Sequence, residues 1–270
     1  MRKLGILFVF FMLSYINIAF AQAYKLEKIL AVEQKASSMA ADNLGNIYLI
    51  NEGTLKKLDA KGNLLYTYTE FSDGHISGVD VSDPLKIMIF NAGFGKIKYL
   101  DNKLALKKDF ILLSELNYPN ATLMSNSYEN GLWLYDPLTN QIIRFNNKLQ
   151  QVQSSGNISE IAQTDISPVS MVEANNNLYI YAPETGILVF DRYATYLKLL
   201  PFKNLCSFQV FLKDIFLVEA NKIKIFNINT FEEAVISLPE EYEIISALCN
   251  NEHIYILTKT HLNIYSIKPE

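Results

Sequence analysis

Two cysteines in 270 residues cannot build a disulfide framework, and 8 prolines with 11 glycines exclude a collagen-like or low-complexity chain. Charge of one sign is also scarce. The 24 Lys and Arg face 28 Asp and Glu for a net charge of −4, and the lysines are scattered, so the chain lacks the concentrated basic face that phosphate-backbone binding demands. No nucleic-acid partner is expected. The three histidines, His75, His253 and His261, show no metal-site spacing, and there is no Gly-rich phosphate loop, Gly-x-Ser-x-Gly elbow or paired-cysteine motif. What the chain has is apolar and aromatic matter, 50% and 12% of its residues. That excludes disorder and allows one large all-β domain.

The chain opens Met1-Arg2-Lys3, continues through uncharged, mostly apolar residues from Leu4 to Leu13, and reaches Ala19-Phe20-Ala21. A charged start, an apolar middle and a small-x-small end describe a secretory signal peptide over residues 1–21. The clean apolar run is only about half of the ~20 residues that span a bilayer, which disfavours the rival reading of a membrane anchor. A lipid anchor would need a cysteine at the cleavage point, and the cysteines are Cys206 and Cys249. The expectation is an exported domain over residues 22–270, in the periplasm or at the cell surface, with no membrane span.

A repeat organises that domain. Short apolar runs begin at Ile47, Ile87, Leu132, Leu178, Ile215 and Ile254, spaced by about 41 residues. A second run follows each, and the residue after it is Asp59, Asp101, Asn146, Asp191, Asn227 or Ser266, small polar side chains suited to opening a turn. Upstream of each first run stands a small residue: Ser38, Gly78, Thr122, Ser170, Ser207 or Ser246. A last apolar stretch such as Leu64-Leu65-Tyr66 ends the unit. Four short strands per unit, β-branched and aromatic enrichment, and no helical periodicity after the leader predict an all-β fold, a six-bladed β-propeller of four-stranded antiparallel blades. The small residues fit the innermost strands, where sheets converge on the axis. The sixth unit stops after its third strand, and Tyr24 to Ile29 alternates apolar with charged residues. This N-terminal strand is expected to complete the last blade and remove its free edge.

The first unit, from Asp42-Asn43-Leu44-Gly45-Asn46 to Leu58-Asp59-Ala60-Lys61-Gly62, resembles an NHL-type propeller repeat, and the third, with Gly131-Leu132-Trp133-Leu134-Tyr135-Asp136, is similar. Units two, five and six depart from it, with Asp83-Pro84-Leu85-Lys86, Leu212-Lys213-Asp214 and Asn250-Asn251-Glu252-His253 in place of the Asp-x-x-Gly turn. The wider grouping of NHL-like or TolB-like six-bladed secreted propellers fits better. The resemblance implies a blade geometry and no reaction.

Trp133 is the only tryptophan, but its aligned positions, Tyr48, Met88, Tyr179, Phe216 and Tyr255, are all large, which marks a packing position. Some six-bladed lactonases hold a divalent cation at the axis with carboxylates from the innermost strands. Asp80 and Glu173 are the only acidic residues placed near the channel here, on non-adjacent blades, and are the candidates for metal or acid/base work. Cys206 and Cys249 fall at different heights on neighbouring inner strands, roughly 10 Å apart at ~3.3 Å per residue, so two free, buried thiols are expected.

The leading reading is a non-catalytic, monomeric binding or scaffold propeller with no cofactor, engaging an envelope protein through the long links at 69–77, 111–121 and 153–168, which hold His75, Tyr118 and Pro119. The alternatives are a metal-dependent, lactonase-like hydrolase acting on a small metabolite through Asp80 and Glu173, and a carbohydrate- or peptide-binding sensor. Asn120-Ala121-Thr122 and Asn157-Ile158-Ser159 match an N-glycosylation pattern, which matters only in a host that uses it.

Overall fold

The middle strands of each repeat are apolar at almost every position because both of their faces are covered. In the computed structural model, which describes residues 24–70, 72–250 and 252–269, these strands lie inside six four-stranded sheets arranged as a propeller. The leader read over 1–21 lies outside the described residues. The described residues open with β1 (Tyr24–Glu33). Blade 1 is β2 (Ser38–Ala41), β3 (Ile47–Asn51), β4 (Thr54–Leu58) and β5 (Leu64–Thr69). Blade 2 is β6 (Gly78–Asp80), β7 (Ile87–Asn91), β8 (Lys96–Leu100) and β9 (Leu106–Leu112). Blade 3 is β10 (Leu123–Ser127), β11 (Gly131–Asp136), β12 (Gln141–Phe145) and β13 (Gln151–Ser154). Blade 4 is β14 (Ser170–Ala174), β15 (Asn177–Ala182), β16 (Gly186–Asp191) and β17 (Tyr196–Leu200). Blade 5 is β18 (Ser207–Phe211), β19 (Asp214–Val218), β20 (Ile223–Asn227) and β21 (Glu233–Ile236). Blade 6 is β22 (Ser246–Cys249), β23 (His253–Leu257) and β24 (His261–Pro269), with β1 as its outer strand. Within each blade the strands run A to D from the axis outward.

Alternate residues of one strand serve two different seams. On β3, Ile47 and Leu49 pack with Tyr255, Leu257 and Ile264 of blade 6, while Tyr48 and Ile50 pack with Ile87, Ile89 and Leu104 of blade 2. The core is therefore divided among the six seams between blades, and a polar residue in a B strand would damage one of them. Each large side chain buried there contributes roughly 2 kcal/mol. Outer strands have one neighbour fewer, which is why β5 exposes Leu64, Leu65 and Tyr66.

The turns between C and D strands use the side chains that the sequence marks. Asp59 Oδ1 accepts the N–H groups of Lys61 and Asn63, both at 2.9 Å. Asp101 does the same with Lys103 and Ala105, Asn146 with Lys148 and Gln150, and Asp191 with Tyr193 and Thr195. The residue three places on is left-handed in all four: Gly62 at φ 82°, then Leu104, Leu149 and Ala194 at 61°, 58° and 64°. Only the first has the residue that this geometry favours. The side chain of Leu104 repays the strain by burial in the seam between blades 1 and 2.

The ring closes as the alternation predicts. β1 pairs antiparallel with β24 from Tyr24 opposite Pro269 to Glu33 opposite His261, with an irregularity between Lys28 and Leu30. The strand runs four residues past Ile29. Leu26 enters the seam between blades 5 and 6, and Lys28 pairs with Glu240 at 2.9 Å.

Two expectations are corrected by the connections between blades. A five-residue helix, α1 (Ile158–Ala162), follows β13; it is too short to leave a period in the sequence. The Asn157 side chain caps it by accepting the N–H groups of Ser159 and Glu160, and Ile158 and Ile166 anchor the connection in the seam of blades 3 and 4. The long links are also less free than their length implies. Tyr118 packs edge-on against Phe145 and its hydroxyl reaches Gln151, while Asp73 is buried against Lys96 and Lys98. His75 and Pro119 stay exposed.

Leu149 is 38% exposed, so Leu149→Gly removes left-handed strain with little loss of packing. It should raise the unfolding free energy by roughly 0.5–1 kcal/mol in urea titration; an unchanged or lower value contradicts the account of these turns. The Asp101 carboxyl is held below its ordinary range by the N–H groups of Ala105 and Lys103. A depressed folded value means that this stabilisation is complete above the ordinary carboxylate pKa and is lost as pH falls through the folded one. Asp101→Asn, matching the Asn146 turn, should therefore reduce the acid-side loss of stability measured between pH 7 and pH 3.

Candidate functional site: the central channel and its mouth

The inner strands surround a cavity of about 920 Å³ that is open to solvent. Its lining includes Ser38, Ser170, Ser207 and Ser246, at the small positions read from the sequence. Side chains on these strands also tie neighbouring blades together. On blade 2, Asp80 Oδ2 accepts the N–H of Asn126 at 2.7 Å and the Ser125 hydroxyl at 3.0 Å. On blade 3, Ser125 Oγ accepts the N–H of Glu173 at 3.1 Å. On blade 5, Gln209 Oε1 accepts the N–H of Cys249 at 2.7 Å while its Nε2 donates to the Cys249 carbonyl. In each case a side chain of one A strand substitutes for a sheet partner that the next A strand lacks. Among the described residues no such bond joins β2 to β6, β14 to β18 or β22 to β2, and the cavity is lined by residues of all five of these strands.

Asp80 and Glu173 both line the cavity, as the sequence placed them, and both lean on blade 3. The Asp80 Oδ1 atom takes the N–H and hydroxyl of Ser82 at 2.9 and 2.6 Å and the Asn126 amide at 2.9 Å. Together with the two bonds to Oδ2, this amounts to five donors on a group with about four lone-pair sites. Glu173 accepts from the Ser127 hydroxyl at 2.9 Å, the Tyr128 N–H at 3.0 Å and the Trp133 indole N–H. Trp133 is itself fully buried in the seam of blades 3 and 4. The two carboxylates are thus acceptors for the polar edge of β10 and its turn. They do not share a ligand-sized gap with a third carboxylate, and no group of three His, Cys, Asp or Glu side chains suited to a metal occurs among the described residues.

The cysteines are both free, but only Cys249 is buried. Cys206 is exposed because it precedes β18 in the connection from blade 4, at the opposite end of the channel from Cys249, which ends β22. That corrects the expectation of two buried thiols. Burial raises the Cys249 pKa, and at the exposed Cys206 partial desolvation of the thiol, then the Glu219 carboxylate, act in the same direction.

A feature that the sequence reading passed over stands at the A–B end of the channel. The A–B turns of blades 1, 2 and 5 carry Leu44, Leu85 and Leu212 at their tips, exposed by 71%, 64% and 65%. Leu44 borders the cavity. The turn that presents it is built by Asp42, whose Oδ1 accepts the N–H groups of Leu44 and Asn46 and whose Oδ2 accepts the Tyr48 hydroxyl at 2.9 Å. Burial, then this carboxylate, raises the Tyr48 pKa. Leu212 is held left-handed at φ 53°, a position where blade 4 has Asn175 and Asn176. The signal was available: leucine in a tight turn is out of place, and three turns at one end of the ring repeat it.

No family model matches the sequence, and no curated protein matches it. Solved structures match in fold. Virginiamycin B lyase from Staphylococcus aureus superposes with a TM-score of 0.60 over 90% of this chain and 99% of its own, at 13% identity. The Pan2 WD40 domain from Neurospora crassa gives 0.58 over 91% and 96%, at 10% identity. The BBS1 domain crystallised in complex with ARL6 gives 0.56 over 86% and 78%, at 10% identity. At such identities the likeness is one of propeller architecture, shared by a lyase and by a propeller held in a protein complex.

Asp80→Ala should lower the unfolding free energy by roughly 2 kcal/mol, since it strands the donors of Ser125 and Asn126; unchanged stability in denaturant titration would show that the carboxylate is not a tie. In the folded protein, iodoacetamide should modify Cys206 and spare Cys249 until denaturant is added, as read by mass spectrometry. Equal labelling of both contradicts the placement.

Proposed function

We propose that the chain is a non-catalytic binding propeller, exported through its N-terminal leader, that docks an envelope protein at the A–B end of its channel. The observation that carries this reading is the set of exposed leucines on the A–B turns of blades 1, 2 and 5. Apolar side chains at turn tips do nothing for the stability of the ring, and a recognition surface is the use that fits them. The long links of the opposite face, first choice from the sequence, are weaker candidates because Tyr118, Asp73, Ile158 and Ile166 are committed to packing. The BBS1 propeller, of the same fold, is crystallised with a protein bound, and this supports the reading by analogy alone. The hydrolase alternative loses ground on a specific point: Asp80, one of its two candidates beside Glu173, has every lone pair taken by a structural donor.

Photo-cross-linking in the producing cell tests this. A benzophenone amino acid at Leu44 or Leu212 should trap one discrete protein, whereas the same group at Phe94 or Leu138, exposed on the opposite face, should not. Trapping from Phe94 or Leu138 alone moves the docking face to the other side. Absence of any adduct from all four positions contradicts the scaffold function.

A further inference from the structure

The channel lining carries carboxylates and none of the basic side chains. Its lining includes Asp42, Asp80, Glu173 and Glu252 and no lysine or arginine, in a chain with 24 basic residues. The donors to these carboxylates are all neutral: main-chain N–H groups, hydroxyls, amides and the Trp133 indole. Hydrogen bonds of this kind hold Asp42 and Asp80 in place without cancelling their charge, whereas Glu173 has the Arg144 guanidinium behind its Ser127 donor, at 2.7 Å from that hydroxyl. A cleft lined by one sign of charge with apolar walls focuses its field on the opening. Met39, Val79, Val172 and Phe211 provide such walls.

At the A–B mouth, Glu252 is exposed, and its carboxylate has no hydrogen bond or ion pair among the described residues. The lysines of the neighbouring turns do not supply one. Lys86 is turned onto the ring of Tyr99 at 4.6 Å, and neither it nor Lys213 borders the cavity. Leu44 borders this negative opening, and Leu85 and Leu212 stand on the A–B turns of blades 2 and 5 at the same end of the ring.

Resting on the reading that the A–B face is the docking face, we propose that its occupant is a cationic, amphipathic segment of the partner protein: a lysine or arginine directed at the channel and Glu252, with apolar neighbours on the three leucines. The long aliphatic stem of a lysine or arginine suits apolar walls below a charged rim, and the field sets selection against acidic segments.

A random heptapeptide phage library panned against the purified chain tests this. The selected sequences should combine a basic residue with Leu, Ile or Phe. A synthetic peptide from that pool should bind the chain less tightly as salt is raised, lose roughly ten-fold on replacing its basic residue with norleucine, and lose as much against Glu252→Lys. Glu252 is exposed, so this variant keeps the fold, which thermal unfolding verifies. Peptides weakened by Leu44→Ser but indifferent to Glu252→Lys and to norleucine overturn the charge assignment and leave the A–B docking face standing. Enrichment of acidic peptides overturns it as well. Peptides that ignore both variants, or a library that yields no binder, overturn the inference together with the docking face.

Discussion

Everything in this molecule depends on the seams between blades being covered on both sides, and that condition is met only if the ring closes. An open fan of six sheets would leave a whole face of blade 6 and another of blade 1 in water, with Tyr255, Leu257, Ile47 and Leu49 among the exposed residues. Closure is delivered by a strand from the far end of the chain. β1 completes blade 6, and its hydrogen bonds to β24 remove the edge that would otherwise recruit another chain. The arrangement makes the last seam a long-range contact, formed after the local hairpins of each blade can form.

The axis imposes the second constraint. Inner strands have no sheet partner on the axial side, so their exposed polar groups must be met by side chains, and Asp80, Ser125 and Gln209 do this from one blade to the next. Those residues are what a search for chemistry would single out, since acids and amides in a cavity look like a site. Their partners show what they are for. The ties hold blades 2, 3 and 4 together and blades 5 and 6 together, and the cavity is lined by both apolar and polar side chains of the inner strands.

Much of this was legible in the sequence, for physical reasons that differ from element to element. B strands were found because double burial forces unbroken apolar runs. C–D turns were found because Asp59, Asp101, Asn146 and Asp191 make the same two bonds to the main chain. β1 was assigned to blade 6 because its alternation had no other blade to serve. The helix α1 escaped because five residues carry no period, and the exposure of Cys206 escaped because a shift of one residue at a strand start decides it. The leucine-tipped turns were missed for a different reason. Leu85 and Leu212 lie in turns that depart from the repeat pattern, Asp83-Pro84-Leu85-Lys86 and Leu212-Lys213-Asp214, whereas Leu44 lies in a turn that fits it, so pattern matching separates residues that share one end of the ring.

The central claim is that the A–B end of the channel is the working face. Hydrogen exchange of the chain, with and without the partner trapped in the producing cell, tests it most directly. The account predicts slowed exchange at the turns around residues 42–46, 82–86 and 212–214, with the connections at 72–77, 113–121 and 155–168 unchanged. Protection confined to those connections, with the leucine-tipped turns exchanging as before, would contradict it.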